Sequence, residues 1–94
     1  MATVLGQVSI EDFDRFLEVF EGAGAELRRK HGCCGARVFR DDDDPALAFV
    51  LLDWDREGIK AFQRDPEVAE TMRSGTAIAP PAFTYLEQAA ELPA

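Results

Sequence analysis

One histidine, two adjacent cysteines, a shortage of basic residues and no long apolar run exclude many functional classes for this 94-residue chain. Catalytic metal sites usually take three protein ligands, so the lone His31 makes a metal centre unexpected. Ser9, Ser74 and the threonines have no nearby His–acid arrangement, so no nucleophilic triad is expected. Ten basic residues against eighteen acidic ones leave a net charge of −8. Nucleic acid and anionic membrane surfaces both demand a basic face and are excluded as partners. No apolar stretch approaches the roughly 20 residues that cross a bilayer. Met1-Ala2-Thr3 runs straight into a strand pattern, so no signal peptide is expected. Two neighbouring cysteines do not make the disulfide framework of a secreted domain. The expected compartment is the cytoplasm.

Four local features suggest chemistry, and each has a plainer explanation. His31 follows Arg28, Arg29 and Lys30 at a helix end, where a cation or donor suits the dipole. Asp41 to Asp44 lack the glycine and distal glutamate of a calcium loop and suit a solvated hairpin turn. Cys33 and Cys34 have cations nearby that lower a thiol pKa, yet no base partner is evident. Gly22-Ala23-Gly24 begins a dinucleotide fingerprint but lies inside a helical pattern, so nucleotide binding is rejected.

What the chain does contain is apolar material. The apolar fraction is 47%, with seven phenylalanines, which is a folded composition. Residues 1–94 make a single domain, small enough that its own core is thin. Ala46-Leu47-Ala48-Phe49-Val50-Leu51-Leu52 reads as a strand with no polar residue on either face. Successive strand side chains point to opposite faces, so both faces need cover. Helices cover one of them; a second copy of the chain is the expected cover for the other, which predicts a homodimer.

The order of elements follows from periodicity. Residues 2–8 form a first strand. Ser9 and Asp12 resemble a capping box ahead of a helix whose stripe is Phe13, Phe16, Leu17, Phe20 and Leu27. Gly22 and Gly24 predict a kink or frayed stretch in it, and Gly32 a stop. Residues 36–40 and 46–52, joined across the aspartates and Pro45, read as an antiparallel hairpin. Asp55 caps a second helix carrying Ile59, Phe62, Val68 and Met72, broken near Asp65 because Pro66 suits a first turn. Residues 83–86 give the last strand, and 89–94 a loose tail. The result is βαββαβ, a ferredoxin-like α+β fold. Two helices lie on one face of a four-stranded antiparallel sheet, with the third strand in the middle.

His31-Gly32, Arg37-Val38-Phe39-Arg40, Asp44-Pro45, Leu51-Leu52-Asp53-Trp54-Asp55, Ala61-Phe62 and Pro80-Pro81 together resemble the dimeric α/β-barrel superfamily. The likeness is greatest to its small antibiotic biosynthesis monooxygenase-type proteins. The resemblance spans nearly the whole chain and rests on structural punctuation. It implies two sheets packed face to face across a dimer, with a ligand pocket between the sheet and the helices of each subunit. It also implies oxidation of phenolic polycyclic substrates by oxygen without metal or flavin, while relatives degrade haem, cyclise polyketide-like chains or isomerise lactones. One departure is that several such enzymes use an asparagine in the pocket and this chain has none.

The expected ligand is a small hydrophobic, aromatic molecule, with no cofactor. Phe13, Phe16, Phe20, Phe62 and Met72 are the apolar lining candidates, together with Leu17; helical stripes are also ordinary core. Gln7 and Thr84 are strand residues able to face a ligand. Tyr85, Trp54 and Arg37 are the candidates to orient phenolic oxygens and stabilise a phenolate or enolate. Two functions follow as expectations. One is a cofactor-independent monooxygenase or cyclase acting on polyketide-like phenols. The alternative is a non-catalytic ligand-binding or stress-response-type barrel, or a structural dimer.

Overall fold

The computed structural model describes residues 2–94. Its elements are β1 (Thr3–Ser9), α1 (Phe13–Glu21), α2 (Ala23–Lys30), β2 (Gly35–Arg40), β3 (Leu47–Asp53), α3 (Arg56–Arg64), α4 (Pro66–Ser74) and β4 (Ala82–Leu86). The strands form one antiparallel sheet in the order β2-β3-β1-β4. This is the ferredoxin-like arrangement, with each expected helix divided in two. The apolar β3 lies between β2 and β1, as a strand without a polar face should. Among the described residues no helix is long and apolar enough to cross a membrane.

The divisions have local causes. At Gly22 the helix turns, and the Gly22 amide still donates to the Glu18 carbonyl at 3.1 Å. Asp65 serves both halves of the second helical layer. Its amide donates to the Phe62 carbonyl to close α3, and its side chain accepts from the Glu67 amide to open α4. Pro66 follows at the first helical position, where its missing N–H costs nothing. Asp55 caps α3, accepting from the Gly58 amide at 2.7 Å.

The strands fall within a residue of the sequence reading, while the start of α1 differs from it in kind. Ser9 is the last residue of β1, and Asp12 itself caps α1, accepting from the Arg15 amide at 3.2 Å. The cause is Ile10, which is 1% exposed and bridges to Ala77. Burying that side chain keeps the backbone extended past Ser9, so the helix begins later.

Strand alternation sorts the sheet into two faces. Val4, Gly6 and Val8 of β1 lie beside Leu52, Val50 and Ala48 of β3, all buried under the helices. Phe83 and Tyr85 of β4 and Val38 of β2 share that inner face. With Ile10, Phe16, Trp54 and Ile59 these residues form the core. The outer face carries Leu5, Phe39, Leu47, Phe49 and Leu51, none of them buried, and Phe39 is 48% exposed. Gly6 leaves room for its cross-strand neighbours: a Cβ there would press on Val50 and on the Phe83 ring.

Candidate functional site

Small residues and a broken helix leave space between the inner sheet face and the helices. A chamber of about 70 Å³ lies there, floored by Val8, Val50 and Leu52 and roofed by Phe16, Val19 and Phe20 of α1. Trp54 and Phe62 close one side in an edge-to-face pair, with centroids 4.9 Å apart. A second, open cleft of about 430 Å³ adjoins it, bounded by α4 and the segment Ala77–Pro81. Phe62, Val68, Met72, Ala77, Pro81 and Phe83 line both spaces, so the cleft lies directly beside the chamber.

That cleft has a fixed wall. The Glu11 amide donates to the Thr76 carbonyl, and the Ile78 amide to the Ser9 carbonyl, each at 3.0 Å. Thr76 has a φ of 65°, a left-handed conformation uncommon for a β-branched residue. Its hydroxyl donates to the Asp12 carbonyl and accepts from the Asp12 amide, which holds that conformation in place.

The sheet separates the residues proposed from sequence. Phe16, Phe20, Phe62, Met72 and Trp54 come together around the chamber. Phe13 and Tyr85 are on the same side of the sheet but outside its walls. Phe13 packs on Phe16 at 6.0 Å, and Tyr85 lies under the Arg56 guanidinium at 3.9 Å. Gln7, Arg37 and Thr84 stand on the opposite, outer face. The Trp54 indole N–H donates to the His31 carbonyl at 2.9 Å, so Trp54 offers the chamber its ring.

Sequence reasoning missed Arg28. It lines the chamber and is 9% exposed, a buried charge among apolar walls. Its guanidinium lies 3.6 Å from the centre of the Phe20 ring, and Nη1 donates to the Phe20 carbonyl at 3.0 Å. Burial pushes its pKa below the usual arginine value, though an arginine keeps its proton in proteins. Gly24, one turn before it, explains its room: a Cβ there would come within 3.3 Å of Nη1. Phe20, Gly24 and Arg28 recur every four residues, and that spacing was the available signal.

Neighbouring titratable groups have structural work. Burial raises the Cys33 thiol pKa, more than Arg28 lowers it, so Cys33 is a poor nucleophile. His31 donates to Asp65 at 2.9 Å, and Lys30 reaches the same oxygen at 3.2 Å. These bonds, His31 first and then the Glu67 amide, hold the Asp65 carboxyl at about 2. The cluster ties the end of α2 to the α3–α4 corner, behind the Trp54–Phe62 wall. Among the described residues, no three His, Cys, Asp or Glu side chains are placed to hold a metal ion.

Comparison with known proteins agrees with this architecture. The family model described as antibiotic biosynthesis monooxygenase matches residues 1–74. The structure superposes on SnoaB, a cofactor-independent oxygenase from Streptomyces nogalater, with a TM-score of 0.73 at 14% identity, covering 99% of this chain and 97% of that one. A solved antibiotic biosynthesis monooxygenase gives 0.68 at 17% identity, covering 96% and 100%. A conserved protein from Methanosarcina mazei Go1 gives 0.65 at 14% identity, covering 93% and 91%. At such identities the likeness shows the fold. No curated protein sequence matches.

Proposed function

The chain belongs to the antibiotic biosynthesis monooxygenase family, and from that premise we propose that it binds a small aromatic molecule and oxidises it with molecular oxygen, without a cofactor. The observation that carries this reading is the aromatic-walled chamber with the open cleft beside it. The chamber alone is about half the size of an engineered cavity of roughly 150 Å³ that takes up benzene. A polycyclic phenol must therefore extend past the shared lining residues into the cleft.

In such a reaction the substrate supplies the electrons. An ionised phenol or enolate is electron-rich enough to reduce oxygen at the adjacent carbon. A ring CH₂ of an anthrone-type substrate then becomes C=O, with the second oxygen atom leaving with the two hydrogens as water. The protein's part is to exclude water, hold the ring flat between Phe16, Phe20 and Phe62, and favour the ionised form. Trp54 contributes through its ring; Tyr85 and Arg37 have no such place in this scheme, because neither lines the space.

The same reading makes the protein a cytoplasmic homodimer. Support comes from the apolar outer sheet face, where Phe39, Phe49 and Leu51 are incompletely covered by their own subunit, and from the two free cysteines. A second reading, a ligand-binding barrel without catalysis, is favoured by the scarcity of polar groups in the chamber, where Arg28 and Thr71 stand among apolar neighbours. An oxygen electrode with an anthrone-type phenol, in the presence of a chelator, separates the two. The monooxygenase reading expects one oxygen consumed per quinone formed. Binding of the phenol with no uptake above the protein-free rate favours the barrel.

A further inference from the structure

Arg28 is an unusual residue to find in an apolar chamber. A guanidinium has five N–H donors and its charge is costly to bury unpaired. Among the described residues the ion pairs are Arg15–Glu18, Lys30–Asp65 and His31–Asp65, and none involves Arg28. Its polar neighbours are the Phe20 carbonyl, bonded to Nη1, and the Cys33 thiol. The Phe20 ring below it offsets part of the charge, but a ring face accepts nothing in the plane of the fork. No fully buried side-chain nitrogen among the described residues lacks a partner, so the unbonded nitrogens of Arg28 keep a little accessible surface. The space that Arg28 lines is the chamber, and it does not reach the outer cleft.

We infer that Arg28 is the binding residue for an ionised oxygen, and that the ligand is a flat apolar acid whose charged end sits in the chamber and whose hydrocarbon body fills the cleft. This inference rests on the reading of the cavity as a ligand site. A carboxylate and an ionised phenol present the same chemistry to the guanidinium, a localised anionic oxygen in the plane of its N–H groups. The chain's net charge of −8 repels anions at long range. Recognition must therefore come from short-range contact, which a buried fork provides. Gly24 supports the arrangement, since any larger residue there would crowd Nη1.

The test is calorimetric titration of the intact protein with 2-naphthoate and with 2-naphthamide, which share a shape and differ in charge. The wild type is expected to bind the acid about tenfold or more tightly than the amide, the size of a charge-assisted hydrogen bond. Arg28→Met should remove that preference while leaving amide affinity within a few-fold. Arg28→Lys keeps the charge without the fork and should retain only part of it. Equal affinities of the wild type for acid and amide would overturn the role of Arg28 and leave the cavity reading standing. So would an acid preference that survives in Arg28→Met. Failure of both probes to bind would overturn the inference together with the reading it rests on. The wild-type comparison decides the matter even if Arg28→Met does not fold.

Discussion

The two faces of the sheet are built from the same kind of residue and end in opposite situations. On the inner face Val4, Ala48, Val50 and Leu52 are no more than 3% exposed, covered by the chain's own helices. On the outer face Leu5, Phe49 and Leu51 alternate with them along the same two strands and remain half-covered. The inner face has more cover than it can fill, which leaves a chamber; the outer face has only partial cover from its own subunit. The one sheet thus bounds a cavity on one side and leaves an apolar surface partly open on the other.

Placing a charge on the outer face is expected to have the largest effect. Leu51 sits between Leu5 and Arg37 in the centre of that face. In a dimer Leu51→Asp would bury an unpaired carboxylate, costing association on the order of several kcal/mol. Sedimentation should change from dimer to monomer at micromolar concentration, with the subunit still folded. An unmodified chain that already sediments as a monomer would break the comparison.

Inner-face changes should instead strike the subunit. Ile59 is fully buried beneath α3, and Ile59→Ala should cost about 3 kcal/mol through lost packing and the cavity left behind. Thermal denaturation should then fall by roughly 10–20 °C, at several degrees per kcal/mol for a domain this small. The equivalent Leu5→Ala, on the outer face, should cost the isolated subunit far less.

Gly58→Ala sharpens the point at a single atom. Alanine normally favours a helix by about 1 kcal/mol over glycine. Here a Cβ would collide with the Trp54 indole nitrogen and the His31 carbonyl, the two ends of one hydrogen bond. A net loss of about 1–3 kcal/mol is expected from overpacking, with a changed Trp54 fluorescence. A gain in stability would show that this wall yields.

The smallest effect concerns acid. The Asp65 carboxyl is held at about 2, below its ordinary 3.8. A depressed carboxyl contributes stability that is complete above the unfolded pKa and is lost as pH falls through the folded one. The window therefore runs from about pH 4 down to about pH 2. Asp65→Asn should remove that part of the acid limb in pH-dependent thermal melts. An unchanged limb would mean that the His31–Lys30 cluster contributes nothing to holding the chamber wall.

Much of the fold was legible in the chain because local chemistry and tertiary need agree. The apolar run at β3, the break at Asp65-Pro66 and the cap at Asp55 each announce themselves in one dimension. The start of α1 did not, since the pull of Ile10 into the core outweighs the capping pattern at Ser9. The site was harder. Gln7, Arg37 and Thr84 looked equivalent to Tyr85 as strand residues, because alternation gives two sets without saying which faces the helices. Arg28 was hidden in a run of three cations whose helix-end position already explained them. Only the turn of α2 after Gly22 aims one of the three inward.

The most direct test of the account is thermal denaturation with and without phenolic polycycles, alongside haem, fatty acids and common metabolites. A polycycle present at 100 times its dissociation constant should add about 2.7 kcal/mol to the folded state, a rise of several degrees for a domain of this size. The account predicts that rise with acidic polycyclic phenols. No shift with any polycycle would contradict it and leave the chamber as packing space in a structural dimer.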